Sequence, residues 1–282
     1  MGQGRLNGTG KGVQAWAAVA LALVSSAALL LFGTGCAGRK VRAGITLEER
    51  LKIAKQMFEK GDYLDAKTQF QVIVASAGGT ALADEAQFYL AECYFHLKDY
   101  VTAVAEYERF VRMYPNSPWV DDAQFKVGVS YYELSPGPGL DQEFTRKAVQ
   151  ALQVFLEDYP ASELRPQAEE YLRKCRDKLA EKEFKAGELY RKMGYYESAV
   201  IYFDAVLNEY YDTQWAEKAL FQKARMLELL GRKEEALEAY QSYLRRHPQS
   251  PRVGEARRAV QKLRDELSAA SPSAATQANP KR

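Results

Sequence analysis

Few residues in this chain of 282 have types or spacings suited to chemistry. Its three cysteines, Cys36, Cys93 and Cys175, form no CxxC pair, and its only histidines are His96 and His247. A zinc centre or a disulfide framework needs several such ligands at regular spacing, so neither is expected. Neither histidine stands in a ligand or triad pattern, and His247 directly precedes Pro248, where a helix should end. Cys93 and Cys175 fall inside helical patterns, where a thiol is more commonly a small buried apolar group than a nucleophile. The run Gly8-Thr9-Gly10-Lys11-Gly12 fails as a phosphate loop, because Arg5 stands where the first glycine is needed and Gly12 replaces the hydroxyl that holds magnesium. The reading is therefore no catalytic residue, no metal, no cofactor and no enzyme. Cys36 differs from the other two in context, since it closes the small-residue sequence Gly33-Thr34-Gly35-Cys36 after a long apolar run.

That context is an export signal. Residues 1–12 carry Arg5 and Lys11 and no acid, and Ala15 to Phe32 is uncharged and apolar apart from Ser25 and Ser26. This is the order of an n-region and an h-region. An apolar run of 18 residues also reaches the lower limit for a membrane span, which leaves an uncleaved anchor as the alternative. The four residues ending at Cys36 resemble the lipobox of bacterial lipoproteins, with Gly33 where that family has an aliphatic residue. The resemblance implies a signal peptide over 1–35, a covalent lipid on Cys36, and attachment to a membrane through that lipid. Several acyl chains, at about 0.8 kcal/mol per buried CH₂, hold a soluble domain on a bilayer where one would not. Ala37 in place of Asp implies, under the enteric sorting rule of the family, the outer membrane.

Composition sets the remaining bounds. With 47% hydrophobic and 27% charged residues the chain can bury a sizeable core. Removing Arg5 and Lys11 from the 39 cations leaves 37 against 37 acids, a balance that gives no reason to expect nucleic acid as a partner. After a tether over 36–46, apolar residues recur at three- and four-residue spacing without alternating β-branched runs, which predicts an all-α protein.

One phrase recurs along it. Gly61-Asp62-Tyr63 leads to Ala66 and Phe70, Lys98-Asp99-Tyr100 to Ala103 and Tyr107, Gly194-Tyr195-Tyr196 to Ala199 and Phe203, and Gly231-Arg232-Lys233 to Ala236 and Tyr240. A fifth copy keeps Ala148 and Leu152. Small residues (Ala54, Ala91, Gly187, Ala224) precede the turns, and Pro115, Pro160, Tyr211 and Pro248 follow twelve residues after the alanines. The pattern resembles the tetratricopeptide (TPR) repeat, a helix-turn-helix unit of 34 residues. It implies a right-handed α-solenoid of about five degenerate TPR repeats. The small residues let paired helices approach, glycine ends the first helix, proline stops the second, and the aromatic fills the gap to the next repeat. The intervals between the key alanines are 37, 45, 51 and 37, so the array is uneven. The third repeat carries about eight extra residues across 135–143, a Pro/Gly-rich loop expected to be exposed. Pro166 to Met193 reads as one long helix, and Pro251 to Ser268 as a charged cap. The domain reading is thus an N-terminal half over 47–165, a C-terminal half over 166–268, and a disordered tail over 269–282.

The repeat phase indexes the first-helix positions that a solenoid turns to its inner face. Leu51, Phe88, Phe125, Phe184 and Phe221 hold the fifth position; Phe58, Phe95, Tyr132, Arg191 and Glu228 hold the twelfth. The first three repeats are apolar at both, which predicts an N-terminal groove of Leu51, Phe58, Phe88, Phe95, Phe125 and Tyr132 for a peptide with aromatic side chains. The competing reading packs these rings within and between repeats.

The lipobox, the five repeats, the insertion, and the passage Leu179-Ala180-Glu181-Lys182-Glu183-Phe184 followed by Gly187-Glu188-Leu189-Tyr190 together resemble the BamD family of outer-membrane β-barrel assembly lipoproteins. The short insertion departs from proteobacterial members, which carry a longer one. The resemblance implies a periplasmic scaffold in the machine that inserts β-barrel proteins. Its C-terminal repeats, here with Phe184, Arg191, Phe221 and Glu228, would face the barrel subunit BamA, and its N-terminal repeats would receive unfolded outer-membrane proteins. A Tol-Pal-associated coordinator or a pilus-assembly pilotin would share the anchor and the solenoid without that passage.

Overall fold

The computed structural model describes residues 44–270. The signal over 1–35, the lipid site Cys36, most of the tether and all but the first two residues of the tail lie outside the described residues. From Leu47 the chain forms one compact unit. Among the described residues it consists of helices joined by short turns, with no strand. In order these are α1 (Leu47–Glu59), α2 (Tyr63–Ser76), α3 (Ala81–His96), α4 (Tyr100–Met113), α5 (Val120–Leu134) and α6 (Glu143–Asp158). There follow α7 (Arg165–Lys192), α8 (Tyr196–Glu209), α9 (Gln214–Leu229), α10 (Lys233–Arg246) and α11 (Val253–Ala270). Each helix packs on its neighbour in sequence. Among the described residues the further contacts, α1 with α3, α5 with α7 and α7 with α9, join first helices of the repeats, which therefore form the inner side of the stack.

The repeat residues act where their chemistry predicts. Ala66, Ala103, Ala148, Ala199 and Ala236 are fully buried, as are Ala54, Ala91 and Ala224 opposite them. Closest approach occurs at two glycines. A Cβ on Gly187 would lie 2.7 Å from the Phe203 ring, and one on Gly128 would lie 2.7 Å from Leu152. Four residues beyond each key alanine, Phe70, Tyr107, Leu152, Phe203 and Tyr240 are buried and fill the core between helices.

Helix ends follow local rules. Gly61 takes φ 83°, and the Asp62 amide then reaches back to the Met57 carbonyl at 2.9 Å, closing α1 with the six-to-one bond of a Schellman turn. Lys98 does the same work after α3 with φ 62°, the only non-glycine residue in that region among the described residues. Thr80 and Asp99 cap the next helices, their side chains accepting from Ala83 and Thr102 amides at 3.3 and 3.2 Å. Helices α4, α6 and α10 stop two residues before Pro115, Pro160 and Pro248, which cannot continue a helical ladder.

Helix α7 spans 28 residues, about 42 Å at 1.5 Å per residue. Its first half places Ala168 and Cys175 in the core of repeat three, beside Phe155. Its second half places Ala180 in the core of the last two repeats, beside Phe203. The two predicted halves therefore share this helix. Helix α11 continues to Ala270, two residues into the span expected to be tail, and starts at Val253.

The loop after α5 departs from its expectation. Composition predicts a wholly exposed loop, yet Gln142 is fully buried. Its amide donates to the Gly137 and Leu140 carbonyls at 2.8 and 3.2 Å, and its oxygen accepts from the Thr145 hydroxyl at 2.6 Å. Lys178 and Lys182 of α7 hold the loop from outside, donating to Ser135 Oγ at 2.7 Å and the Leu140 carbonyl at 3.2 Å. A glutamine that satisfies carbonyls from within lets a Pro/Gly-rich segment adopt one shape. The Leu140 side chain at its tip remains exposed.

Candidate functional site

The first-helix residues split by repeat position. At the fifth position Phe88 is 8% exposed, Phe125 4% and Phe221 0%. Phe88 lies among Tyr107, Phe110 and Trp119; Phe125 meets Phe155 and Tyr171; Phe221 meets Tyr240 and Tyr243. Leu51 and Phe184 are half-buried, Leu51 on the first core cluster and Phe184 against Phe203 and Trp215. The prediction of Phe88 and Phe125 as groove wall, and of Phe221 as a partner-facing residue, is thus corrected. A ring at this position points between helices, where burial stabilises it by about 1.5–3 kcal/mol.

The twelfth position is different. Phe58, Phe95 and Tyr132 are half-buried. His96 links the first two, its ring centre 5.4 Å from Phe58 and 5.9 Å from Phe95, and it stacks on Tyr63 at 4.5 Å. Tyr132 packs edge-on to Tyr171 of α7 at 5.1 Å. Cations accompany the row: Lys126 Nζ lies 4.3 Å above the Phe95 ring and Lys178 Nζ 4.9 Å above Tyr132. Lys178 is also the residue that holds Ser135, so the insertion loop flanks the third ring of the row. In the C-terminal repeats the twelfth position is occupied internally. Arg191 pairs with Glu188 at 2.9 Å, and Glu228 accepts from Lys262 at 2.9 Å and Tyr240 at 3.2 Å.

A polar cluster lies beneath the row. Glu92 is 8% exposed, accepts a short hydrogen bond from the Tyr107 hydroxyl, and lies 3.3 Å from Lys126 and 3.6 Å from His96 Nε2. Burial pushes the Tyr107 hydroxyl up, aided by the Glu92 charge. Burial also holds His96 below its ordinary value, outweighing the pull of Glu92, while Lys126 pushes the same way as burial. His96 therefore meets Glu92 as a neutral ring at pH 7. Lys126 is the cation that balances Glu92. The sequence phase did not reveal Lys126 or Lys178, because each belongs to the first helix of the repeat after the ring it covers.

The cysteines within the described residues are inert. Burial pushes Cys93 and Cys175 up to about 12, far from a thiolate nucleophile. No group of three His, Cys, Asp or Glu among the described residues is placed to hold a metal ion, and none of their helices is long and apolar enough to cross a membrane.

A family model of YfiO, an outer membrane lipoprotein, matches residues 46–242. The chain belongs to the YfiO family. The match begins one residue before α1 and ends within α10, so it covers four helix pairs and most of the fifth and stops short of α11. No curated protein matches the chain in sequence. Among solved structures, the TPR2AB domain of yeast Sti1 in a pHSP90 complex is 13% identical, covers 79% of this chain and 84% of its own, and superposes with a TM-score of 0.41. A thermophilic TPR protein of Thermus thermophilus is 17% identical over 79% of this chain and 98% of its own, with a TM-score of 0.34. Membership in the YfiO family places this chain among outer membrane lipoproteins.

Proposed function

We propose that this YfiO-family chain is a lipid-anchored scaffold of the machine that inserts β-barrel proteins into the outer membrane, and that it has no catalytic role. The acyl chains on Cys36 hold the helical unit at the periplasmic face. The C-terminal repeats dock on the barrel subunit, and the N-terminal repeats receive unfolded barrel segments. The observation that carries the reading is the half-buried row Phe58, Phe95 and Tyr132 with Lys126 and Lys178 over its rings. The exposed part of these half-buried residues offers apolar contact to side chains of an extended segment, and the lysines give its carbonyls and any carboxylate a donor.

Affinity purification of the tagged full-length protein from native membranes, with crosslinking and mass spectrometry, tests this. A barrel subunit crosslinked mainly to residues after 165 supports the reading. A Tol-Pal or pilus component in its place overturns it. A Phe58→Ala/Phe95→Ala variant should lose crosslinks to unfolded barrel proteins while keeping those to the barrel subunit. Loss of both together would remove the separate role of the aromatic row.

A further inference from the structure

The last two helices form a second surface that the aromatic row does not use. Helix α10 presents Leu244 and Arg245; α11 presents Arg257, Val260, Gln261 and Arg264. The α11 positions follow i, i+3, i+4, i+7, so one stripe of α11 faces α10 across an open cleft of about 440 Å³. Val260 is buried in its floor and the three arginines are exposed at its rim.

The charges at this rim are unbalanced. Among the described residues no Asp or Glu lines the cleft. Some basic residues of other helices pair along their own helix, as in Lys147–Glu143, Arg165–Glu169 and Lys174–Glu170. At this end the ion pairs run through Lys233, Lys262, Glu228 and Glu266, and among the described residues none includes Arg245, Arg257 or Arg264. Three guanidinium forks around one cleft repel each other and match planar carboxylates.

Shape narrows the occupant. A concave trough with an apolar floor and a cationic rim fits a polypeptide whose acidic side chains flank an apolar one. A flat layer of headgroups would meet the rim and leave the floor empty. Residues 271–282 do not complement the site, since they contain Lys281 and Arg282 and no Asp or Glu. Arg245 and all of α11 lie beyond residue 242, outside the region matched by the YfiO family.

We propose that the cleft between α10 and α11 is a docking site for an acidic polypeptide segment of a partner protein. Carboxylates of that segment pair with Arg245, Arg257 and Arg264, and an apolar side chain rests on Leu244 and Val260. The site is separate from the aromatic row, so either can fail alone.

The probe is a fluorescein-labelled peptide of alternating Glu and Leu, titrated by anisotropy onto the full-length protein in neutral detergent. Its Gln/Leu counterpart is the control. The expected result is saturable binding of the Glu peptide alone, weakened about tenfold or more in R245Q/R257Q/R264Q and unchanged in R173E, an exposed arginine on α7. Circular dichroism checks that the triple variant keeps its helicity, and the single variant R257Q, which removes one exposed charge, should weaken binding partway. Equal binding of both peptides, or equal loss in R173E, overturns the proposal. So does an arginine-dependent response to dihexanoyl phosphatidylglycerol without one to the peptide, which would assign the cleft to lipid. A dimer in sedimentation that the triple variant abolishes would assign it to a second copy and overturn the proposal equally.

Discussion

Single atoms decide two features of this chain. Gly187 and Gly128 sit where α7 meets α8 and α5 meets α6, and a methyl on either would press 2.7 Å from Phe203 or Leu152. Those neighbours are fully buried and cannot move freely. Gly187→Ala and Gly128→Ala should each destabilise by about 1–3 kcal/mol in chemical denaturation. Gly137→Ala, with open space around its Cβ, should not. An unchanged midpoint for Gly187→Ala would mean the helices can part without loss. His96 sets a pH response. Its folded value lies below the ordinary 6.5, so the unfolded chain takes up its proton first as pH falls. Stability is fully present above the unfolded value and declines as pH falls from there through the folded value. His96→Gln should flatten that part of the stability-against-pH curve. A slope that persists in the variant would assign it to other groups.

At the scale of helices, the turn after α3 differs from the others of its kind. Gly61, Gly194 and Gly231 adopt positive φ without a Cβ, whereas Lys98 holds φ 62° with one. Lys98→Gly should therefore raise stability, by roughly 0.5–1 kcal/mol after the extra unfolded freedom of glycine is deducted. Thermal melting would show it, and a lower midpoint would mean that the lysine side chain contributes more than its backbone costs. The Lys98 case was legible in the sequence, because the phrase Lys98-Asp99-Tyr100 aligns with Gly61-Asp62-Tyr63. Helix pairing was legible for the same reason: small residues, turn glycines and stop prolines act locally, at fixed spacing. The depth of the fifth-position rings was not. Phase gives the direction in which Phe88 points, but Phe110 of α4 and Trp119 of the turn before α5, which cover it, lie far along the chain. Phase put Phe58, Phe95 and Tyr132 on the inner side together with the fifth-position rings, and it did not separate the two sets or show the lysines beside them. In the insertion, composition spoke for Pro and Gly, while one buried glutamine set the shape of the loop. Gln142→Ala would leave the Gly137 and Leu140 carbonyls without that donor, and hydrogen exchange across 135–142 should speed up while α5 and α6 stay protected. Unchanged exchange there would mean that Lys178 and Lys182 suffice to hold the loop.

Across the whole molecule, stability in a stack of helix pairs is a sum of repeats and the interfaces between neighbours. The end of such a stack needs a cap, and α11 supplies it by burying Ala256, Val260 and Leu263 against the core that holds Tyr240 and Tyr243. Removing α11 strips roughly 3–6 kcal/mol of burial at Val260 and Leu263 alone and leaves the apolar side of α10 in water. The loss should stay near the break, because the main contacts of α10 among the described residues are with α9 and α11. A chain ending at Ser250 should lose hydrogen-exchange protection in α9 and α10 while α1 to α4 keep theirs, and it should self-associate in sedimentation through the uncovered face. The long helix α7 sets the limit of that spread. It shares its length between the core of repeat three and that of the last two repeats, so loosening that reaches Ala180 should fade before Cys175. Uniform loss of protection along all the helices would instead make the whole stack one cooperative unit, and α7 the rod that couples its ends.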